Sequence, residues 1–459
     1  MRLIRSGALV FGANIADTAA VLLRNVLLAR LLTVADFGIA ATFSIMITLM
    51  DAAQNAGVSR MVVQAADAES AKLQDGLHGV QLALGVITGL LLLVLSWPYA
   101  LAMGTPHILW AYALIAIIPM LRAASHLDPY RLQRQGRFGP SVIRQILPQA
   151  LSLVAIWPAY LMFRDFRAML VLLFVQQIAS LIASHIGAER PYRMRFDREI
   201  TARAFRFGWP LLINGVLMFF VFNGDRMVVS NQFGLDTLGW FSAAVTLTLN
   251  PAMLVARSLQ TLILPSMARV QDDPARLQLQ NDRLVGLVAI VYVGFVAGVA
   301  LFGAPVLILI FGAKFAPAAP FLLLLAIMQG IRLMRAVPAL AAMARAETKN
   351  PLYTNIVRGL FIPVALLVAL WTRDIYWMLA TGIFGEAIAA VASAWLARRM
   401  VGIRARHFLV AFTTASLVVA GMAGVKLMGW PAWFVLPIAL PFLFSVRDTV
   451  LHIRDLVRR

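Results

Sequence analysis

The residues best able to do chemistry in this chain lie inside its most apolar segments. In residues 7–32, GALVFGANIADTAAVLLRNVLLARLL, the side chains of Asn14, Asp17, Thr18, Arg24 and Asn25 fall within about 120° of arc at 100° per residue. A second stripe, Ser44, Thr48, Asp51, Asn55 and Ser59, spans about 80°. A third, Ser242, Thr246, Asn250, Arg257 and Thr261, spans about 100°, with Pro251 interrupting its backbone. Asn214 aligns with Asp225 on one helix face, next to Asn223 and Arg226, while Gln329, Arg332, Arg335 and Glu386 stand in later apolar runs. Single Ser, Thr or Asn residues in such places commonly glue helices together. The ionisable residues need more: facing lipid, they would cost on the order of 20–30 kcal/mol together. They belong against one another or against a water-filled cavity.

The sign of the set points to a class of ligand. Arg24, Arg226, Arg257, Arg332 and Arg335 outnumber Asp17, Asp51, Asp225 and Glu386. Guanidinium groups keep their charge when desolvated and fork onto phosphate oxygens, so an anionic cargo is favoured over a cationic one. A lipid-linked pyrophosphate with a bulky polar head suits such a cavity. Arg24, Arg257, Arg332, Arg335, Asn14 and Asn250 are the candidate substrate-facing residues. Asp17, Asp51, Asp225, Arg226 and Glu386 are candidates for ion coupling, to Na+ or H+, or for structural ion pairs.

The elements that must carry these residues follow from composition. Of 459 residues, 61% are hydrophobic and 13% charged, and the mean hydropathy is +0.82. Soluble domains run nearer half apolar and a quarter charged. Apolar stretches of about 20 residues recur throughout, each long enough to span about 30 Å of hydrocarbon. The class is an all-α polytopic membrane protein. The chain has no cysteine, which excludes disulfides and thiolate metal sites. The basic start MRLIRSGALVFG imitates a secretory signal, but Asp17 interrupts the run and further spans follow, so it is expected to be an uncleaved first span.

About fourteen spans are expected, starting near Gly7, Phe37, Gly76, His107, Pro140, Ala168, Phe207, Leu238, Leu284, Pro317, Leu352, Ile375, Phe408 and Pro431. Twenty-nine of the 40 Lys and Arg residues fall in connections on the N-terminal side. Seven (Arg30, Arg164, Arg167, Arg226, Lys314, Arg373 and Lys426) fall opposite. This bias predicts a multi-pass protein with both termini cytoplasmic. It also explains the net charge of +19 without a nucleic-acid partner. Arg190, Arg193, Arg195, Arg198, Arg203 and Arg206 are expected against anionic lipid headgroups.

The second half echoes the first. LLTVADFGIAATFSIMITLM around Gly38 lines up with FGLDTLGWFSAAVTLTLNP around Gly239. The offset of about 200 residues also brings Asn14 near Asn214, and Arg24 near Asp225 and Arg226. Both copies run outward, which is the parallel kind of repeat, with substrate bound between halves that rock. The expected organisation is an N-terminal lobe of six helices over 1–189 and a basic cytoplasmic linker over 190–206. A C-terminal lobe of six helices over 207–400 follows, with two further helices and a basic tail over 401–459.

At LLARLLTVADFGIAA, GVSRMVVQ, RFGWPLL, FNGDRMVVSNQFGLDTLGWFSAA, LPSMARVQDD and FGAKFAPAAPFLLLLA the sequence resembles the polysaccharide transporters. These are the O-antigen and exopolysaccharide flippases of the multidrug/oligosaccharidyl-lipid/polysaccharide (MOP) superfamily. The resemblance covers roughly residues 1–400. It implies two pseudo-symmetric six-helix lobes plus two C-terminal helices in a V-shaped transporter of the bacterial inner membrane. It implies a lipid cargo, an undecaprenyl-pyrophosphate-linked oligosaccharide, moved from the cytoplasmic to the periplasmic leaflet. Polysaccharide polymerase and chain-length proteins are the implied protein partners. In the related lipid II flippases, arginines of spans one, two and eight face a central cavity, and Arg24 and Arg257 occupy comparable spans. Span two departs from that pattern, with Asp51 inside and Arg60 only at its end.

Other functions fit less well. No GxxxxGK[ST] phosphate loop is present, so ATP hydrolysis through that motif is excluded. A multidrug or small-metabolite antiporter of organic cations would need a net acidic cavity. A membrane polymerase or ligase would need a sizeable external loop, and every external connection is short. A passive scaffold would leave the polar stripes unexplained. His78, His107, His126, His185, His407 and His452 are scattered, with no pair at metal-ligand spacing, so neither a metal nor another cofactor is expected.

Overall fold

The computed structural model describes residues 2–54 and 57–445, so Asn55 lies outside the described residues. Among the described residues every regular element is helical. The chain forms two compact units, Met1–Asn223 with Phe233–Gly239, and Gly224–Gln232 with Trp240–Arg459. The first holds α1 (Arg2–Leu31), α2 (Val34–Gln54), α3 (Val58–Gln64) and α4 (Ala71–Ala102). After a 3-10 turn at Pro106–Ile108 come α5 (Leu109–Ile115), α6 (Ile118–Ala123), α7 (Asp128–Arg134), α8 (Gly139–Phe163) and α9 (Arg167–Ile186). α10 (Arg198–Ala268) passes through both units. The second unit adds α11 (Pro274–Phe311), α12 (Ala319–Ala344), α13 (Lys349–Thr372), α14 (Ile375–Val401), α15 (Arg406–Leu427) and α16 (Val435–Ser445).

Eleven helical segments among the described residues are long and apolar enough to cross a membrane, as a multi-pass protein requires. Fourteen is the larger number because it includes α1, divides α10 in two, and adds the segment from Pro431 that continues past the described residues. α10 divides at Gly234, whose φ of 84° and ψ of 175° are open to glycine and strained for other residues. Polar residues cap the starts of α11 and α14. Asp273 accepts from the amides of Ala275 and Arg276 at 3.0 Å ahead of Pro274, and Asp374 accepts from Tyr376 at 2.7 Å.

The span expected from His107 is not one helix but three short pieces, the 3-10 turn, α5 and α6. Pro119 has no N–H to give the preceding turn, and side chains satisfy the backbone instead. Gln54 donates to the Pro119 carbonyl at 3.0 Å, and Gln81 donates to the carbonyls of Ala123 and Ser125 at 2.8 and 2.9 Å. α4 meets this broken span at Gly85 and Gly89, where a Cβ would run into the carbonyls of Pro119 and Ala116.

The two glycines aligned by the repeat touch each other's motifs. A Cβ on Gly38 would overlap the Leu235 carbonyl oxygen, and one on Gly239 would overlap that of Val34. Each glycine therefore meets the residue four places before its mate, and backbone packs on backbone. Because the obstructing atoms are backbone, Gly38→Leu is expected to cost about 1–3 kcal/mol or more. A fall in melting temperature of the detergent-purified protein measures this. Gly294→Ala, in open space on α11, is expected to leave the melting temperature unchanged or raised.

Candidate functional site

The first unit contains two cavities that share a wall. One, of about 320 Å³, lies where the ends of α2 and α6 meet α7 and the start of α8, and includes Asp51, Gln54, Gln81, Arg122, Tyr130 and Arg144. The other, of about 220 Å³, lies further along the helices among α1, α8 and α9, with Asp17, Gln145, Gln149, Gln176 and Gln177 in its lining. Arg122 and Arg144 line both. Pro148, in the wall of the second cavity, also has no N–H to give the Arg144 carbonyl one turn earlier, which loosens α8 beside the shared wall.

Amides join the charges here. Arg24 is buried and donates from Nη1 to Gln176 Oε1 at 2.6 Å, while its Nε has no hydrogen-bond partner. Gln149 donates to Asp17 at 2.9 Å, and Gln145 donates to Asn14 at 3.0 Å. Arg122 pairs with Asp51 and reaches Gln177 Oε1 from Nε at 3.4 Å. Arg144 lies over the Tyr130 ring, 4.8 Å from its centroid, and its buried Nη1 has no hydrogen-bond partner among the described residues. An arginine-, carboxylate- and amide-lined hollow between membrane helices can hold a ligand rich in phosphate and hydroxyl oxygens.

Around Glu386, in the second unit, the charges meet directly. Arg332, Arg335 and Arg358 converge on Glu386, which is fully buried. Arg332 Nη2 approaches Oε1 at 2.6 Å, Arg335 Nε approaches Oε2 at 3.3 Å, and Arg358 Nε donates to Oε1 at 3.2 Å. Arg358 also holds Asp225 at 2.8 Å, and Arg335 donates to Asn355 at 2.8 Å. Gly382 lies beside this network, where a Cβ would be in ordinary van der Waals contact with Arg358 Nη2. Small residues along α14, Gly385, Ala389, Ala390 and Ser393, allow its neighbours close.

Thus the structure joins Arg332, Arg335, Glu386 and Asp225, and separately joins Arg24, Asp17 and Asn14 through glutamines. Asn250 and Arg257 lie exposed on α10, and the Arg257 guanidinium has no partner among the described residues. Arg226 is half-buried, with its Nε lacking a hydrogen bond. Three arginines assigned to N-terminal-side connections in the sequence need correction. Arg122 ends α6, Arg144 lies in α8, and Arg358 is the tenth residue of α13 and fully buried. Arg144 and Arg358 follow the expected starts near Pro140 and Leu352, yet counting charges toward the connections moves them out of their helices. Apolar flanks such as NIVRGLFIPV were the available signal.

The histidines are also less scattered than their spacing suggests. Rings of His78 and His126 lie 4.9 Å apart, those of His126 and His185 5.5 Å, and Tyr192 packs on all three. Among the described residues no group of ligands could hold a metal. Beside them Asp128 accepts from Arg131 at 2.6 and 3.2 Å and from the Glu189 amide at 2.7 Å. Burial opposes its charge, but these donors outweigh burial and hold the carboxyl at about 2. Burial likewise lowers His126 below its ordinary value, outweighing the nearby Asp128 charge. This clasp ties the chain after α9, including Arg190 and Arg193, to α4 and α7.

Glu386→Gln removes the charge on which three guanidinium groups converge. A loss of about 3–5 kcal/mol is expected from uncompensated buried charge. It would register as a lower melting temperature and less folded protein in the membrane. Asp51→Asn, at a half-exposed pair, is expected to cost about 0–1 kcal/mol.

A family model described as "Polysaccharide biosynthesis protein" matches residues 27–320, more than half of the chain. The succinoglycan biosynthesis transport protein ExoT of Rhizobium meliloti is 22% identical over 307 residues, which cover 66% of this chain and 62% of that protein's length. The lipopolysaccharide biosynthesis protein WzxC of Escherichia coli is 20% identical, over 75% of this chain and 71% of its own. Among solved structures, the lipid II flippase MurJ in an inward closed conformation superposes with a TM-score of 0.71 at 13% identity, over 99% of this chain and 100% of its own. A multidrug resistance MATE family transporter of the MOP superfamily, inward-facing, gives 0.68 at 14% identity, over 84% and 94%. The chain is a multi-pass membrane protein with the MOP transporter fold, and it belongs to the polysaccharide biosynthesis protein family.

Proposed function

We propose that this protein is a flippase that carries an undecaprenyl-pyrophosphate-linked oligosaccharide from the cytoplasmic to the periplasmic leaflet, supplying exopolysaccharide, capsule or O-antigen synthesis. The observation that carries the reading is the pair of arginine- and amide-lined cavities between membrane helices of the first unit. Arginine suits phosphate, and a wall of glutamines suits sugar hydroxyls, whereas an organic cation would find no net negative charge. Family membership and relatives named for succinoglycan and lipopolysaccharide biosynthesis support the same cargo class.

In this reading the protein lies in the bacterial inner membrane with both termini cytoplasmic, and two six-helix lobes alternate access to a central cavity. Arg24 and Arg257 are the arginines proposed to face that central cavity, with Asn14 and Asn250 on the same helices; Arg122 and Arg144 line the two cavities of the first unit. Asp17 and Asp51 remain the coupling candidates. Glu386 is neutralised by its own arginines, and with Arg332 and Arg335 it serves structure rather than cargo. Polysaccharide polymerase and chain-length proteins would act next on the delivered product.

Arg24→Ala and Arg257→Ala are each expected to insert at normal levels and to abolish surface polysaccharide in a host lacking its own flippase. Full export by both variants, at matched protein levels, would remove the cavity assignment.

A further inference from the structure

Arg122 and Arg144 are the guanidinium groups common to both cavities of the first unit. They differ from the arginines around Glu386 in how they are held. Arg332, Arg335 and Arg358 bind a carboxylate with no exposure, which leaves nothing for an incoming anion to displace easily. Arg122 binds Asp51 in a pair whose side chains are 36% and 50% exposed. Pairs reached by solvent are weak and exchange readily. Arg144 forms no ion pair among the described residues. Tyr130 fixes its plane, and its Nη1 is buried with no acceptor. A buried donor without an acceptor is costly, and a ligand oxygen relieves that cost. The nearby charges are already engaged: Asp17, in the lining of the smaller cavity, accepts from Gln149, and Arg24 donates to Gln176, which also lines it.

We propose that Arg122 and Arg144 form an anion subsite for the pyrophosphate of a lipid-linked substrate, and that Asp51 is the internal anion this group displaces from Arg122. Arg144 then supplies a preoriented fork, and Arg122 a fork released from Asp51. Gln54 and Gln81, already donating to the carbonyls of the broken span, hold the α6 end that carries Arg122. A group arriving through the larger cavity meets both arginines before the glutamine-lined cavity beyond them. The identity of the anion rests on the flippase reading, whereas the existence of the subsite rests on geometry alone.

The test uses the full-length protein purified in detergent, with geranylgeranyl pyrophosphate as the probe and geranylgeraniol as its uncharged counterpart. The wild type is expected to bind the pyrophosphate and not the alcohol. Arg122→Gln and Arg144→Gln should each weaken binding about tenfold or more while keeping the wild-type melting temperature. Asp51→Asn should tighten binding several-fold, because the competing anion is gone. Wild-type affinity in both arginine variants, or weaker binding in Asp51→Asn, would overturn the subsite. Competition by phosphatidylglycerol nanodiscs at equal phosphate, with the same arginine dependence, would overturn the assignment to a lipid-linked pyrophosphate in favour of a phospholipid headgroup. Arginine-dependent binding with unimpaired polysaccharide export in Arg122→Gln and Arg144→Gln would leave the subsite and remove the flippase reading. Lost export in Arg24→Ala alongside unaltered binding in the Arg122 and Arg144 variants would do the reverse.

Discussion

A charge between membrane helices has to find a counter-charge, a polar partner or water, and the placement of nearly every functional side chain in this protein follows from that demand. It explains why three arginines turn toward one glutamate on α14, and why that helix is lined with glycine, alanine and serine where its neighbours approach. The demand extends to the backbone. The span over 106–123 is broken, and Gln54 and Gln81 are spent on its free carbonyls, which in turn fixes the end of α6 and the arginine there. Polar side chains thus serve first as repairs to the helical scaffold, and only those left over are available to a ligand.

The two units answer the demand differently, although the chain repeats itself. The second unit gathers several of its charges into a buried network in which Asp225 and Glu386 are bound by arginine. The first leaves its charges around cavities, with amides between them and with Arg24 Nε and Arg144 Nη1 unsatisfied. A closed network is rigid and unsuited to cycling, while an exposed pair such as Arg122 with Asp51 can open and close at little cost. The difference separates the arginines held on Glu386 from those beside the cavities, which the sequence alone treats alike.

Much of the fold was legible because membrane spans are long and uniformly apolar, and because Arg24 and Glu386 are conspicuous in such surroundings. The repeat was legible too, through Gly38 and Gly239, and its reason is now physical: each glycine admits the other motif's backbone. What sequence reading missed were contacts between helices. No local pattern says that Gln176 on α9 faces Arg24 on α1, or that three histidines more than forty residues apart share one ring cluster. Arg122, Arg144 and Arg358 were hidden for a related reason. Counting positive charges to orient a chain assigns every arginine near a span's end to the aqueous side, and the broken fourth span blurs where that end is.

The central claim is that the polar interior of this fold moves an anionic, sugar-bearing lipid across the bilayer. The most direct measurement is translocation in proteoliposomes, using a fluorescent polyprenyl-pyrophosphate-linked oligosaccharide and a quencher confined to the outside. The account predicts protein-dependent exchange of this lipid between leaflets, absent in Arg24→Ala, without exchange of a fluorescent phosphatidylcholine. Equal movement of both lipids, or movement of the labelled substrate undiminished in Arg24→Ala, would contradict it.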